Sequence, residues 1–422
     1  MAPALSSPRD TLRLLFDTAV SAAHPKLCVP PNLPKPPATG RTIVVGAGKA
    51  AAAMARAVED HWQGPLSGLV VTRDGYGVPC FKIEMIEAAH PVPDERGRAA
   101  AGSMLALVSA ARPDDLVLCL MSGGASALLV LPAPGIALVD KQATTRALLK
   151  SGATIHEINC VRKHLSAIKG GRLAAASPAR VLTLAISDVV GDDPSVIGSG
   201  PTVPDPSTFA DARAILAKYG IEPAPAVRAH LAAAVEETPK PGDPRLPRAE
   251  YRLIATPKDA LAAAATKARE FGVEPIVLGE SVEGEARDVG AQHAALARKL
   301  AADAGRAKPC VILSGGELTV TIEGRGSGGP STEYLLGLAL ALKGARSIHA
   351  LAADTDGIDG SEDNAGATIG PDTLARARDF TLDPAACLAA NDAYSFFRAL
   401  GDLLITGPTF TNVNDFRAIL VQ

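Results

Sequence analysis

The chain has 422 residues, 47% of them hydrophobic and 21% charged, with a net charge of −3. That is the composition of a globular chain with room for two or three domains and substantial cores. It argues against nucleic acid as a partner, because basic blocks are absent and aromatic residues make up only 4%, and against a membrane span, because no run approaches about 18 apolar residues.

In chain order, residues 8–24 place Leu12, Leu14, Leu15, Phe16 and Val20 at the spacing of an amphipathic helix. A proline-rich connector at 25–37 leads to a strand at 42–45 and a glycine-containing loop opening a helix that ends near Trp62. Strands at 68–72, 83–86, 116–121 and 181–186 alternate with helices at 95–111 and 140–151. The alternation predicts an α/β fold with a doubly wound, mainly parallel, Rossmann-like sheet. The proline-rich, charged segment Glu236 to Pro247 reads as a linker, dividing the chain into domains 1–240 and 248–422. The rhythm then restarts with strands at 251–255, 274–278, 310–313, 349–353 and 403–406 and helices at 258–271, 283–302 and 333–342. Residues 318–322 alternate as a strand expected to pair antiparallel, giving a second α/β domain with a mixed sheet and an active-site cleft between the two.

The six cysteines are widely spaced, with no Cys-x-x-Cys, so neither a zinc site nor a disulfide framework is expected. The N-terminus lacks a basic region followed by an apolar stretch, and a cytoplasmic location is expected.

The chemistry-bearing motifs sit at predicted strand exits, where ligands bind in open parallel sheets. The stretch 159–202 opens as a helix with Arg162, Lys163, Lys169 and Arg172 and leaves its strand into a loop holding Asp188, Asp192 and Asp193 among glycines. Acids there suit a metal, or cap a hydrogen-bonded turn. Gly46-Ala47-Gly48-Lys49-Ala50-Ala51 partly fits the dinucleotide fingerprint and is not a Walker A loop. Lys49 in the first helical turn opposes the helix dipole by about 0.3–1 kcal/mol, which makes sense if an anion sits there. Were a dinucleotide bound, Arg73 after the second strand could face a 2′-phosphate. Ser122-Gly123-Gly124-Ala125-Ser126 repeats the strand–loop–helix arrangement and offers amides and hydroxyls to phosphate or carboxylate. Ser314-Gly315-Gly316-Glu317 occupies the matching place in the second domain, or is a hairpin turn. Asp354, Asp356, Asp359, Glu362 and Asp363 form an acidic loop without EF-hand register, and His90 and His164 have no evident partner.

Together the strings VVGAGKAA, AAHPVPD, CLMSGGASALL, INCVRKHLSAIKGGRLA, ISDVVGDDPSVIGSGPT, SVEGEARDVG, LSGGELTV, DTDGIDG, NDAYSFF and ITGPTFTNVND resemble, in order and over nearly the whole chain, the glycerate 2-kinases of the MOFRL type, some of which are named hydroxypyruvate reductase. The resemblance implies ATP- and Mg²⁺-dependent phosphorylation of D-glycerate to 2-phosphoglycerate between two domains. Carried over by motif, it implies Lys49 as phosphate-stabilising cation and Asp188 as the acid near the substrate hydroxyl or metal, with Asp193 beside it as a second metal ligand. Nucleotide contacts are expected from Gly46, Gly48, Ser122, Gly123, Gly124, Ser126, Gly315, Gly316, Glu317 and Asn412. Two departures stand out: Pro330 occupies the place of the family's usual arginine, for which Arg325 is the candidate substitute, and Phe410 replaces a glycine. The basic residues at 162–172 are either a solvated face or an attraction for the substrate carboxylate. The alternatives to a kinase are an NAD(P)H-dependent hydroxypyruvate reductase and a non-catalytic phosphosugar- or nucleotide-binding sensor. A small hydroxy acid is the expected partner, and a homodimer is left open.

Overall fold

The computed structural model describes residues 7–305 and 309–422. The chain divides into two compact units, one spanning Pro25–Ile254 and the other joining the segment through His24 to Ala255–Gln422.

The first unit is built on β1 (Thr42–Ala47), β2 (Leu66–Arg73), β3 (Ile83–Ala88), β4 (Leu116–Met121), β5 (Arg180–Ile186) and β6 (Ala249–Ala255), in the order β3-β2-β1-β4-β5-β6. The pairs β3–β2, β2–β1, β1–β4 and β4–β5 are parallel. β1 and β4 are buried along their whole length, which is why they read as unbroken apolar runs rather than alternating ones. The chain crosses from one half of the sheet to the other between β1 and β4. At such a switch point two strand exits face each other with no crossover helix between them.

In the second unit are β7 (Glu274–Gly279), β8 (Gly284–Glu285), β9 (Cys310–Ser314), β10 (Leu318–Thr319), β11 (Ile348–Asp354), β12 (Gly366–Ile369), β13 (Leu403–Leu404) and β14 (Asp415–Val421). Six of these form a mixed sheet, β13-β12-β11-β14-β9-β7, in which only β7–β9 is parallel. No helix among the described residues is long and apolar enough to cross a membrane.

Four expectations are corrected. Residues 236–247 are not a free linker: Thr238 Oγ1 donates to Asp205 (3.0 Å), the Pro239 carbonyl accepts from the Asp205 N–H (2.8 Å), and Glu237 Oε2 lies 3.2 Å from His164 Nε2. Proline richness there records a tightly folded strap, and the strand after it, β6, joins the first sheet. The helix Pro8–Ala22 belongs with the second unit, where Phe16 meets Phe416 edge-on at 6.0 Å between ring centroids. Residues 318–322 yield only the short β10, which pairs parallel with β8. Finally, the basic run at 162–172 is not one helix: Ile155–His164 ends, the chain turns through Gly170 and Gly171, and Arg172–Ala175 begins anew.

Replacing Phe16, 1% exposed, by alanine should destabilise the second unit by about 3–5 kcal/mol. Urea unfolding followed by a probe in that unit checks this; an unchanged midpoint would detach the helix from it.

Candidate active site

At the switch point the two glycine loops of the first unit are fastened to each other. The Lys49 N–H donates to the Gly123 carbonyl (2.8 Å), the Ala50 N–H donates to Ser122 Oγ (3.0 Å), and the Ser122 N–H donates to the Ala47 carbonyl (3.1 Å). Gly48 stands at φ +133°, and a Cβ there would lie 2.2 Å from Ser122 Oγ, so only glycine lets the loops approach this closely. Gly46 is different in kind. It lies within β1, with the Leu120 carbonyl 2.3 Å from where its Cβ would stand, and serves strand packing.

This fastening decides what the edge can bind. A dinucleotide fingerprint offers the first helical amides to a pyrophosphate. Here the amides of Lys49 and Ala50, just before the helix Ala51–His61, are already occupied by protein acceptors. The N–H groups of Gly123 and Gly124 donate to no acceptor among the described residues, and Gly123 is buried. Two successive free amides beside a lysine stem form an oxyanion cradle of modest size.

One strand further along, Asp188 follows the carboxyl end of β5 and is half-buried. It shares the sheet edge with Lys49 and Ser122. Asp193 is otherwise engaged: its two oxygens accept from the Ser195 N–H (2.8 Å) and Ser195 Oγ (3.0 Å), which caps the next turn. Asp192 carries instead a buried Oδ1 with no hydrogen-bond partner and sits at φ 55°. Tyr251, on β6, also buries an unpartnered hydroxyl; burial raises its pKa, with Cys119, Asp193, Asp188 and Asp192 adding to the effect. Among the described residues no group of three His, Cys, Asp or Glu is arranged to hold a metal.

Beside the cradle lies a cavity of about 280 Å³, whose lining includes His90, Gly124, Ser126, Lys141, Arg162 and Lys169. Lys169 is 0% exposed and donates to the Gly198 carbonyl (3.1 Å). Lys141 is 5% exposed and donates to the carbonyls of Arg162 (3.2 Å) and Leu165 (2.7 Å) at the end of the helix Ile155–His164. Burial, with Arg162 adding to it, pushes the Lys141 ammonium down to about 7. The 162–172 residues are therefore no solvated face. Lys163 is paired inside with Asp205 (3.3 Å) and Arg172 donates to the Glu236 carbonyl (2.8 Å).

The second unit gathers its own strand ends: the exit of β9, the exit of β11 and the start of β14. The guanidinium of Arg417, 1% exposed, donates to the carbonyls of Gly315 (3.1 Å) and Gly316 (2.8 Å) and pairs with Asp415 (3.1 Å). Gly316, at φ +106°, packs so closely on Val282 that a Cβ would stand 2.3 Å from its carbonyl oxygen. Glu317 is exposed on this loop. Asn412 is buried, its Oδ1 accepting from the Asn414 N–H (3.2 Å). Phe410 takes φ 60°, a left-handed conformation that suits the glycine it replaces. Pro330 occupies the first position of the helix Pro330–Leu342, where a missing N–H is harmless. The amides after it are capped by Asp359, which accepts from Ser331 (2.9 Å) and Thr332 (2.8 Å), and burial pushes that carboxyl up to about 7 against the pull of those bonds. Arg325 is exposed, on a loop held where the Gly326 N–H donates to the Ala390 carbonyl (2.9 Å).

Comparison with known proteins bears on the whole chain. Residues 11–232 match the family described as "Domain of unknown function (DUF4147)" and residues 310–415 match the MOFRL family. A Glycerate 2-kinase of Pyrococcus horikoshii is 42% identical over 90% of this chain and 88% of that protein. The crystal structure of a Glycerate kinase from Thermotoga maritima superposes with a TM-score of 0.88 at 38% identity, covering 98% of this chain and 99% of that one. The chain belongs to the MOFRL-type glycerate kinase family. Within that family a protein of Agrobacterium vitis carrying a provisional hydroxypyruvate reductase name is 56% identical over 98% of this chain and 95% of its own.

Some features of this family member leave no local mark in its sequence. Lys141 sits in an ordinary helical segment, and Tyr251 and Arg417 sit in ordinary strands. Only the fold shows that Lys141 and Arg417 are buried and that the Tyr251 hydroxyl is buried without a partner.

Ser122 is 0% exposed, so Ser122→Ala would leave the Ala50 N–H without its acceptor and cost about 1–3 kcal/mol. Thermal unfolding of the variant checks this; an unchanged midpoint would mean that the hydroxyl does not fasten the loops.

Proposed function

We propose that this protein transfers the terminal phosphoryl group of ATP to the 2-hydroxyl of D-glycerate. The observation that carries the reading is the fastened switch point, where the N–H groups of Lys49 and Ala50 that a dinucleotide needs have protein acceptors while those of Gly123 and Gly124 have none among the described residues. The names of the relatives support the same reaction.

Phosphoryl transfer depends on positioning and on neutralising charge, with little covalent chemistry asked of the protein. In this reading the N–H groups of Gly123 and Gly124 hold phosphoryl oxygens, with Ser126 beside them. The Lys49 ammonium balances the charge that grows on the equatorial oxygens. Asp188 accepts the proton of the glycerate hydroxyl as its oxygen attacks. A kinase also calls for a divalent cation, and Asp192, with its buried unpartnered oxygen, suits one better than Asp193, whose oxygens are engaged by Ser195. When bound with the nucleotide, Mg²⁺ neutralises phosphate charge, and one or two carboxylates are the usual protein share of its ligands. Glu317 and Asn412 remain proposed nucleotide contacts of the second unit, and Arg325 the proposed catalytic substitute for the arginine whose place Pro330 takes.

The reductase reading rests on the name of the Agrobacterium relative. It asks the first loop to bind a pyrophosphate through amides that already have acceptors.

Two measurements separate these. Purified protein with D-glycerate and MgATP should release ADP, while hydroxypyruvate with NADH should leave the cofactor absorbance unchanged; the reverse pattern would establish the reductase. Lys49→Ala should lower kcat by about 10² or more, the usual size for removing one preorganised electrostatic group. Near-normal turnover of a folded variant would remove Lys49 from the mechanism.

A further inference from the structure

The cavity beside the cradle is notable for what surrounds it. Lys141, Arg146, Arg162 and Lys169 line it, with no Asp or Glu among the described lining residues. Nor does any of these four form an ion pair with a carboxylate among the described residues. The neighbouring Lys163, by contrast, has Asp205 as an internal counter-ion. Proteins bury cations with partners, because an unpaired buried charge is strongly unfavourable.

The donors left over point the same way. An ammonium has three N–H donors and a guanidinium five. Lys169 makes one side-chain hydrogen bond and Lys141 makes two, all to carbonyls. The guanidinium of the half-buried Arg162 makes none with the described residues. Burial lowers the pKa of both lysines and of Arg162, the expected response of cations whose counter-charge is not supplied by the protein. The lining also has an apolar part, a wall formed by Val92, Val130, Leu138 and Leu149. A triphosphate has no use for such a wall, whereas the carbon skeleton of a small acid does. The lip next to the cradle carries Gly124 and Ser126. Ser126 Oγ lies 3.0 Å from Ser199 Oγ, which in turn donates to Asn159 Oδ1 at 3.0 Å.

We infer that this cavity is the acid-binding pocket of the enzyme: Arg162 and Lys169, with Lys141 behind them, receive the carboxylate of a small 2-hydroxy acid, and its hydroxyl points out past Ser126 toward the Gly123–Gly124 cradle. The inference deepens the kinase reading and rests on it for the direction of the hydroxyl; the capture of a carboxylate stands without it. It assigns substrate selection to the first unit. It also explains why cations that look like a solvated run in the sequence are drawn inward in the fold.

The test uses the whole protein. Calorimetric titration of the wild type without nucleotide should show binding of D-glycerate and none of glycerol or glyceramide, which lack the carboxylate. Arg162→Gln removes a guanidinium that no protein group depends on, so the variant should fold. It should raise KM for D-glycerate by about tenfold to a hundredfold, the range expected for hydrogen bonds to a charged group. KM for MgATP should stay within about twofold, and Arg162→Lys should recover part of the loss, since the charge returns without the planar fork. Lys169→Met, which keeps the volume, should act in the same direction. An unchanged glycerate KM in Arg162→Gln, in a protein that phosphorylates glycerate, would overturn the inference and leave the kinase reading intact. Glycerate binding that is lost in Arg162→Gln, in a protein showing no phosphoryl transfer, would uphold the pocket and sink the kinase reading. Equal binding of glycerol, or inorganic phosphate displacing glycerate at equal concentration, would overturn the assignment of a carboxylate pocket.

Discussion

The functional edge of the first unit depends on the fastening of two strand exits across the switch point. Ser122 receives the Ala50 N–H, the Gly123 carbonyl receives the Lys49 N–H, and Gly48 provides the clearance for both. These contacts fix the Lys49 backbone where the helix Ala51–His61 begins, and its stem passes close to Gly124. They also remove the free amides on which a nicotinamide cofactor's pyrophosphate would rest. One set of short contacts thus holds the two loops together and, in the proposed reading, leaves the edge to a small oxyanion.

The rest of the first unit follows from that edge. Asp188 and the unpartnered oxygen of Asp192 come after β5, next to β4 in the sheet, so acid groups flank the cradle on one side. Cations without a carboxylate partner among the described residues line the cavity that Gly124 and Ser126 border. No Asp or Glu lies among the described residues of that lining. In the proposed reading, such a lining lets an acidic substrate approach without meeting groups that would repel it. The second unit is stiffened by a comparable device, since buried Arg417 ties the Gly315 and Gly316 carbonyls to Asp415.

Much of this was legible in the sequence, and the failures have physical causes. The strand exits could be read because glycine is needed where backbones come closest, and the Gly48 and Gly124 loops carry that requirement openly. The buried runs of β1 and β4 were equally plain. Residues 236–247 misled because proline and charge mark a strap packed on Asp205 and His164 as well as they mark a linker. β12 is only four residues long, and β14 follows a stretch of turns, so neither gave a period to detect. Lys141 and Lys169 were illegible as buried groups, since lysine is exposed by default and only tertiary structure draws it inside. Asp193 was read as a second metal ligand; that its oxygens also accept from Ser195 is set by backbone geometry that residue types do not encode.

In the proposed reading the fastened edge delivers a phosphoryl group to the hydroxyl next to a carboxylate held in the cationic cavity. The most direct measurement is the ³¹P NMR spectrum of the product formed from D-glycerate and MgATP. The account predicts one new phosphomonoester resonance coupled to the single proton on C2. A resonance coupled to the two protons on C3 would contradict the placement of the acid, and no phosphomonoester at all would contradict the account as a whole.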